Sequence, residues 1–206
     1  SSPNPMSLKP NRSTMAILLI GEFIFGLGDS LLIAAGVGNT PWTVLAEGIA
    51  NTTEVWTIGE ATFLVSVAVM FLWIPINETP GIGTILNIII IALTIHLMVP
   101  ILPQPENPLV SILMASTGIV LVGIGSSMYL TANLGPGPRD GWMTGLQRTT
   151  GIPIGRVRIA IESSVLVIGI LLGGTFGIGT ILFAVTIGPV VASCLSIASR
   201  IDSATG

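Results

Sequence analysis

The sequence predicts an all-α membrane protein with six transmembrane helices. They form two inverted-topology three-helix repeats, each with a short amphipathic or re-entrant helix after its first span. Three observations predict this. Only 8% of the 206 residues are charged and 50% are hydrophobic, whereas a soluble domain carries about 25% charged residues. Apolar runs of spanning length, about 20 residues each, occur six times. The chain also repeats itself. Gly26, Gly28, Ser30, Ala35, Gly38, Pro41, Gly48, Thr52 and Thr53 return 97 positions later as Gly123, Gly125, Ser127, Ala132, Gly135, Pro138, Gly145, Thr149 and Thr150. Gly81–Leu86 returns 96 positions later as Gly177–Leu182. A repeat of this length fixes architecture before chemistry is considered.

Taken in order, Ser1–Thr14 is a polar, proline-containing N-terminal tail. The first repeat, Met15–Ile101, holds spans at Met15–Ala35, Thr57–Pro75 and Gly81–Val99. The second, Leu102–Ser199, holds spans at Leu109–Ala132, Ile154–Gly173 and Gly177–Ala198. Arg200–Gly206 is a C-terminal tail. Pro75, Pro80, Pro100, Pro103, Pro105 and Pro108 punctuate the short connections, because proline lacks an N–H and fixes φ. Only Gly36–Trp56 and Asn133–Pro153 are long connections, and they are equivalent in the two repeats.

Orientation follows from Lys and Arg. Lys9 and Arg12 precede the first span. Arg139, Arg148, Arg156 and Arg158 lie in the second long connection or just inside the fifth span, and Arg200 follows the sixth. All seven cations fall on one side if both termini are cytoplasmic. Three spans per repeat is an odd number, so the second copy enters from the opposite face. Transporters and channels built this way hold their sites between the repeats near the midplane.

Each long connection opens on a Gly/Pro turn. Pro41 and Pro138 then suit the first turn of a short helix, where a missing N–H costs nothing. Val44, Leu45, Gly48 and Ile49 have helical spacing, as do Trp142, Met143 and Leu146. Two placements are open. As interfacial helices, the pair anchors at headgroup level through Trp42 and Trp142. As re-entrant half-helices, they aim their N-terminal N–H groups at a shared site. Arg139 and Asp140 are the sharpest pair. Asp140 complements the helix dipole there, or the two form a cytoplasmic gate or anion contact with Arg139 as a forked donor.

Leu134–Leu146 followed by Thr150–Arg158, with Trp73-Ile74-Pro75 and Pro80–Thr84 in the first half, resembles the YczE-like (YitT-related) family of bacterial integral membrane proteins. The resemblance covers roughly Gly26 to Val191. It implies a polytopic inner-membrane protein and supplies no substrate. Where that family usually carries Pro-Trp-Asp, this chain has Pro41-Trp42-Thr43.

An ionisable residue at membrane depth is a functional candidate by default. Glu22 and Glu162 each lie roughly 10–13 Å from the cytoplasmic end of their span at 1.5 Å per residue. Asp29 is two turns above Glu22 on one face, and His96 lies at about its height. Read functionally, Glu22, Asp29, His96 and Glu162 form a polar track along which a protonatable carboxylate couples proton movement to solute passage. Read structurally, each is hydrogen-bonded between helices. Arg158 and Glu162, four apart, are placed to pair.

The remaining chemistry is excluded by type. One His and one Cys, far apart, make no metal site. No phosphate-cradling glycine motif implies a nucleotide cofactor. No nucleophile–base pair can be assembled, so no enzyme and no catalytic residue is expected. A net charge of −3 leaves no basic surface for nucleic acid. The expected partners are the lipid bilayer and a second copy or other membrane subunits. The leading expectation is a small-solute or ion transporter or channel-like protein. The alternative is a non-transporting accessory or assembly subunit of a larger membrane complex.

Overall fold

The computed structural model describes residues 11–205, and Lys9 with most of the N-terminal tail lies outside them. Eight α-helices and no strand are found among the described residues. They are α1 (Arg12–Ala35), α2 (Pro41–Asn51), α3 (Ile58–Phe71), α4 (Ile82–Met98), α5 (Pro108–Ala132), α6 (Pro138–Thr150), α7 (Ile154–Leu171) and α8 (Ile178–Thr205). The six long helices fall in the six expected spans, and α2 and α6 fill the two long connections. Three helices, α1, α5 and Ile178–Ile201 of α8, are long and apolar enough to cross a bilayer.

Local chemistry sets the ends. The Asn11 side chain accepts from the N–H groups of Ser13 and Thr14, so α1 begins inside the segment read as a tail. Thr57 and Glu60 close a capping box on α3. The Thr57–Pro75 expectation is too long: α3 stops at Phe71 and continues as tight turns to Asn77. Pro75 has no N–H for the Phe71 carbonyl four residues back, and its ring crowds that carbonyl; the Ile74 N–H bonds to it instead in a tighter turn. At the other extreme, α8 runs through the segment read as a C-terminal tail.

The centre is the crossing of α1 with α5. A Cβ on Gly28 would lie 2.5 Å from the Gly118 carbonyl oxygen, and one on Gly118 would lie 2.6 Å from that of Gly28. Gly21 and Gly125 face each other in the same way. The residue numbers rise on one helix as they fall on the other, so the two run antiparallel. Backbones meet this closely only where side chains are absent. Gly26 meets Thr94 of α4, and its repeat counterpart Gly123 meets Val190 of α8. Gly169, Gly173 and Gly177 recur every four residues, a spacing that would suit one close-packing stripe, but they part in the structure. Gly169 seats Val44 and Leu45 of α2, Gly177 meets Val37, and Gly173 (φ +99°) lies beyond α7.

The halves exchange their connections. The Gly83 N–H donates to the Leu134 carbonyl and the Gly179 N–H to the Val37 carbonyl, both at 2.8 Å. The turn before each short helix is thereby tied to the start of the last helix of the other half. The turns need Gly38 and Gly135, at φ +123° and +122°, a region glycine enters without steric cost. At the far ends, Asn51 Nδ2 donates to the Gly173 carbonyl (3.0 Å) and Arg148 Nη2 to the Ile76 carbonyl (2.8 Å).

Candidate functional site

One side chain from the first turn of α6 reaches one from the first turn of α2. The Arg139 guanidinium carbon lies 5.5 Å from the centroid of the Trp42 ring, within cation–π range. Trp42 is 8% exposed and packs with Val69, Val165 and Trp142. Of the two placements open from sequence, burial of α2 against α3 and α7 disagrees with a helix lying on the surface. Trp42 is a core residue there, not a headgroup anchor.

Each short helix has a carboxylate of α1 beside its first turn. Asp29, 2% exposed, accepts from the Thr43 hydroxyl at 3.0–3.1 Å, and Thr43 is the third residue of α2. Glu22 is fully buried and accepts from Asn87 Nδ2 at 2.9 Å. Asn87 in turn borders Gly137, the N-cap of α6. A partial positive charge at a helix N-terminus favours an acid in both positions. The second oxygen of Glu22, Oε1, is buried without a partner. Asp29 and Glu22 are separated by about 10 Å along α1 at 1.5 Å per residue.

Asp140 is held on two sides. Tyr129 donates its hydroxyl to Oδ2 at 2.7 Å, and Arg158 reaches Oδ1 at 2.8 Å. Arg158 therefore pairs with Asp140, not with Glu162 as helical spacing suggested. Glu162 is half-buried, within electrostatic reach of Arg158, Asp140 and Arg139. Trp73 donates its indole N–H to the Pro138 carbonyl at 2.8 Å, with Gly141 seated on its ring. Pro138 is thereby fixed, and α6 with it.

Six candidates thus lie around the first turns of α2 and α6: Asp29 and Trp42 on the α2 side, Glu22, Arg139 and Asp140 on the α6 side, and Glu162 within electrostatic reach of Arg139 and Asp140. Pro41 opens the helix that carries Trp42, Pro138 opens the one that carries Arg139 and Asp140, and Trp142 packs against the cluster of Trp42. His96 stands apart. Its Nδ1 lies 3.0 Å from Thr57 Oγ1 at the start of α3, beside a cleft of about 510 Å³ lined by Trp56, Glu60, Phe63 and Leu93. Sequence reasoning missed Asn87 and Tyr129, and it named Thr43 and Trp73 only within motifs and not as site residues. Asn87 had a signal, being a lone amide in the apolar run Ile82–Ala92. Tyr129 had a weaker one, as the single tyrosine of the chain.

Residues 12–196 match a family described as a family of unknown function, DUF6198. An uncharacterized protein of Haemophilus influenzae is 45% identical over 91% of this chain and 86% of its own. The uncharacterized membrane protein YczE of Bacillus subtilis is 33% identical over 82% of this chain and 79% of its own. The uncharacterized protein YyaS of Bacillus subtilis is 28% identical over 79% and 83%. No solved structure matches the chain. The resemblance read from the Leu134–Arg158 motifs is thereby established. Together with the long apolar helices, it makes this an all-α membrane protein.

Proposed function

We propose that this chain, which belongs to the DUF6198 family, is a six-span inverted-repeat protein that moves a small solute or ion between its two halves. The observation that carries the reading is the contact of Arg139 with Trp42. These residues are repeat equivalents on the first turns of α2 and α6. Short helices whose N-termini converge on polar groups inside a bundle are how inverted-repeat transporters build a site. The antiparallel α1–α5 crossing and the exchanged connections support two halves of opposite orientation. Glu22 and Asp29 then lie along the path, with Glu162 beside it, and Glu22 is the candidate proton carrier. On this reading both termini are cytoplasmic in a bacterial-type inner membrane, an orientation that the Lys/Arg distribution supports.

The test is flux. The full chain is reconstituted in liposomes, and dissipation of imposed proton, sodium, potassium and chloride gradients is measured with and without Arg139→Ala. Protein-dependent flux of any of these ions, reduced by the substitution, supports the reading. No flux above protein-free liposomes sinks it. A terminal reporter found outside the cell would separately overturn the orientation.

A second reading has its own observation. The α1–α5 centre is closely packed on glycines, and α8 carries a long exposed apolar face beyond Thr180, including Ile181, Val185, Ile197 and Ile201. A non-transporting subunit of a larger membrane complex would look like this. It predicts absent flux together with a fixed stoichiometry to a second membrane protein.

A further inference from the structure

We propose that the seat formed by Arg139 and Trp42 binds a small monovalent anion, held by the Arg139 guanidinium and the Trp42 indole N–H. This names a ligand class for the site of the proposed function, and it rests on that reading for the location of the path.

Unfilled donors carry the inference. The ring contact engages the charge of Arg139 but none of its five N–H donors. Among the described residues no acceptor closes a hydrogen bond or ion pair on that guanidinium. The nearest carboxylate in sequence, Asp140, is already occupied by Tyr129 and Arg158. The Trp42 ring over which that guanidinium lies carries a buried Nε1 without an acceptor, on a residue 8% exposed. Orphaned buried N–H groups are rare in native proteins. An indole N–H is donor only, so whatever satisfies it must accept.

The helix ends add a second argument. The N-caps of α2 and α6, Thr40 and Gly137, supply no side-chain cap to their first turns. Helix N-termini carry partial positive charge and present N–H groups to anions. Charge limits the ligand to one negative charge. Asp29 and Glu162 are both within electrostatic reach of Arg139, and Arg158 is committed to Asp140. A planar acceptor such as formate or nitrate suits the guanidinium fork.

The full chain in detergent is titrated with sodium formate, acetate, nitrate and chloride at constant ionic strength, with unfolding temperature as the readout. The expected result is a saturable rise with at least one of the four. Affinity should fall at least tenfold in Arg139→Gln. It should fall several-fold in Trp42→Phe, which keeps the ring and loses the N–H. No saturable response to any anion overturns the proposal, as does an unchanged affinity in Arg139→Gln. If that variant does not fold, unchanged affinity in Trp42→Phe overturns it instead. Glu60→Gln, at the remote α3 cap, should leave affinity as it is. Saturable binding without flux retires transport and keeps the anion seat. Flux without saturable anion binding does the reverse.

Discussion

Arg139 and Trp42 stand at the same position of the two repeats, and the guanidinium of one rests 5.5 Å from the ring centroid of the other. The contact thus joins equivalent positions of the sequence repeat. Identical residues there would set two rings or two like charges together. Divergence to a cation and an aromatic turns the contact into an attractive one. The exchange is testable. Trp42→Arg alone removes a buried aromatic, which costs about 3–5 kcal/mol, and adds a like charge near Arg139. Pairing it with Arg139→Trp rebuilds the contact from the other side. The double variant should recover about 0.5–2 kcal/mol beyond the sum of the singles in chemical denaturation. A coupling of zero would mean that the contact has no energetic content.

The α1–α5 crossing makes a sharper stability prediction. Gly125→Ala puts a Cβ 2.6 Å from the Gly21 carbonyl oxygen and from the Phe25 nitrogen. Neither is the flexible end of a side chain, so the helices must part, at about 1–3 kcal/mol. Gly188→Ala in α8 meets nothing within 4 Å and should be neutral or stabilising by up to about 1 kcal/mol through helix propensity. Equal unfolding temperatures for the two variants would count against the crossing.

Much of this was legible in the sequence because bilayer length and repeat spacing are one-dimensional signals. Six apolar runs gave six helices, and the matched Gly38 and Gly135 marked the two turns. Contacts between halves left no such trace. Arg158 and Glu162 are four apart and read as a pair, but α6 brings Asp140 to Arg158 from outside the helix. His96 matched Asp29 in height, and height carries no azimuth: it faces α3 at Thr57 and not the bundle centre. The burial of Trp42 was equally out of reach, since a tryptophan near a proline turn has the same pattern at an interface as inside a core.

Tyr129 is the only phenol in the chain, and its hydroxyl gives Asp140 one of its two partners. Tyr129→Phe removes that donor and leaves Arg158 as the other. A hydrogen bond to a charged acceptor contributes about 1.5–3 kcal/mol, so the variant should lose a stability of that order. The loss should shrink in an Asp140→Asn background, where the acceptor is neutral. Equal losses in both backgrounds would show that Tyr129 acts through packing and not through Asp140.

Glu22 and Asn87 bind α1 to α4 by one buried hydrogen bond of 2.9 Å, and the other Glu22 oxygen has no partner. The two substitutions that weaken this pair should differ. Asn87→Ala strips the carboxyl of its remaining donor inside the bundle, where an unsatisfied polar group costs about 1–3 kcal/mol. Glu22→Gln keeps a carbonyl oxygen for Asn87 Nδ2 and exchanges the orphan oxygen for an amide. It should cost less than Asn87→Ala in denaturation of the purified protein. In liposomes the order should reverse for proton-linked flux, because glutamine cannot carry a proton while Asn87→Ala leaves the carboxyl in place. Flux that survives Glu22→Gln at the parent rate would remove Glu22 from the path and leave it a structural contact between α1 and α4.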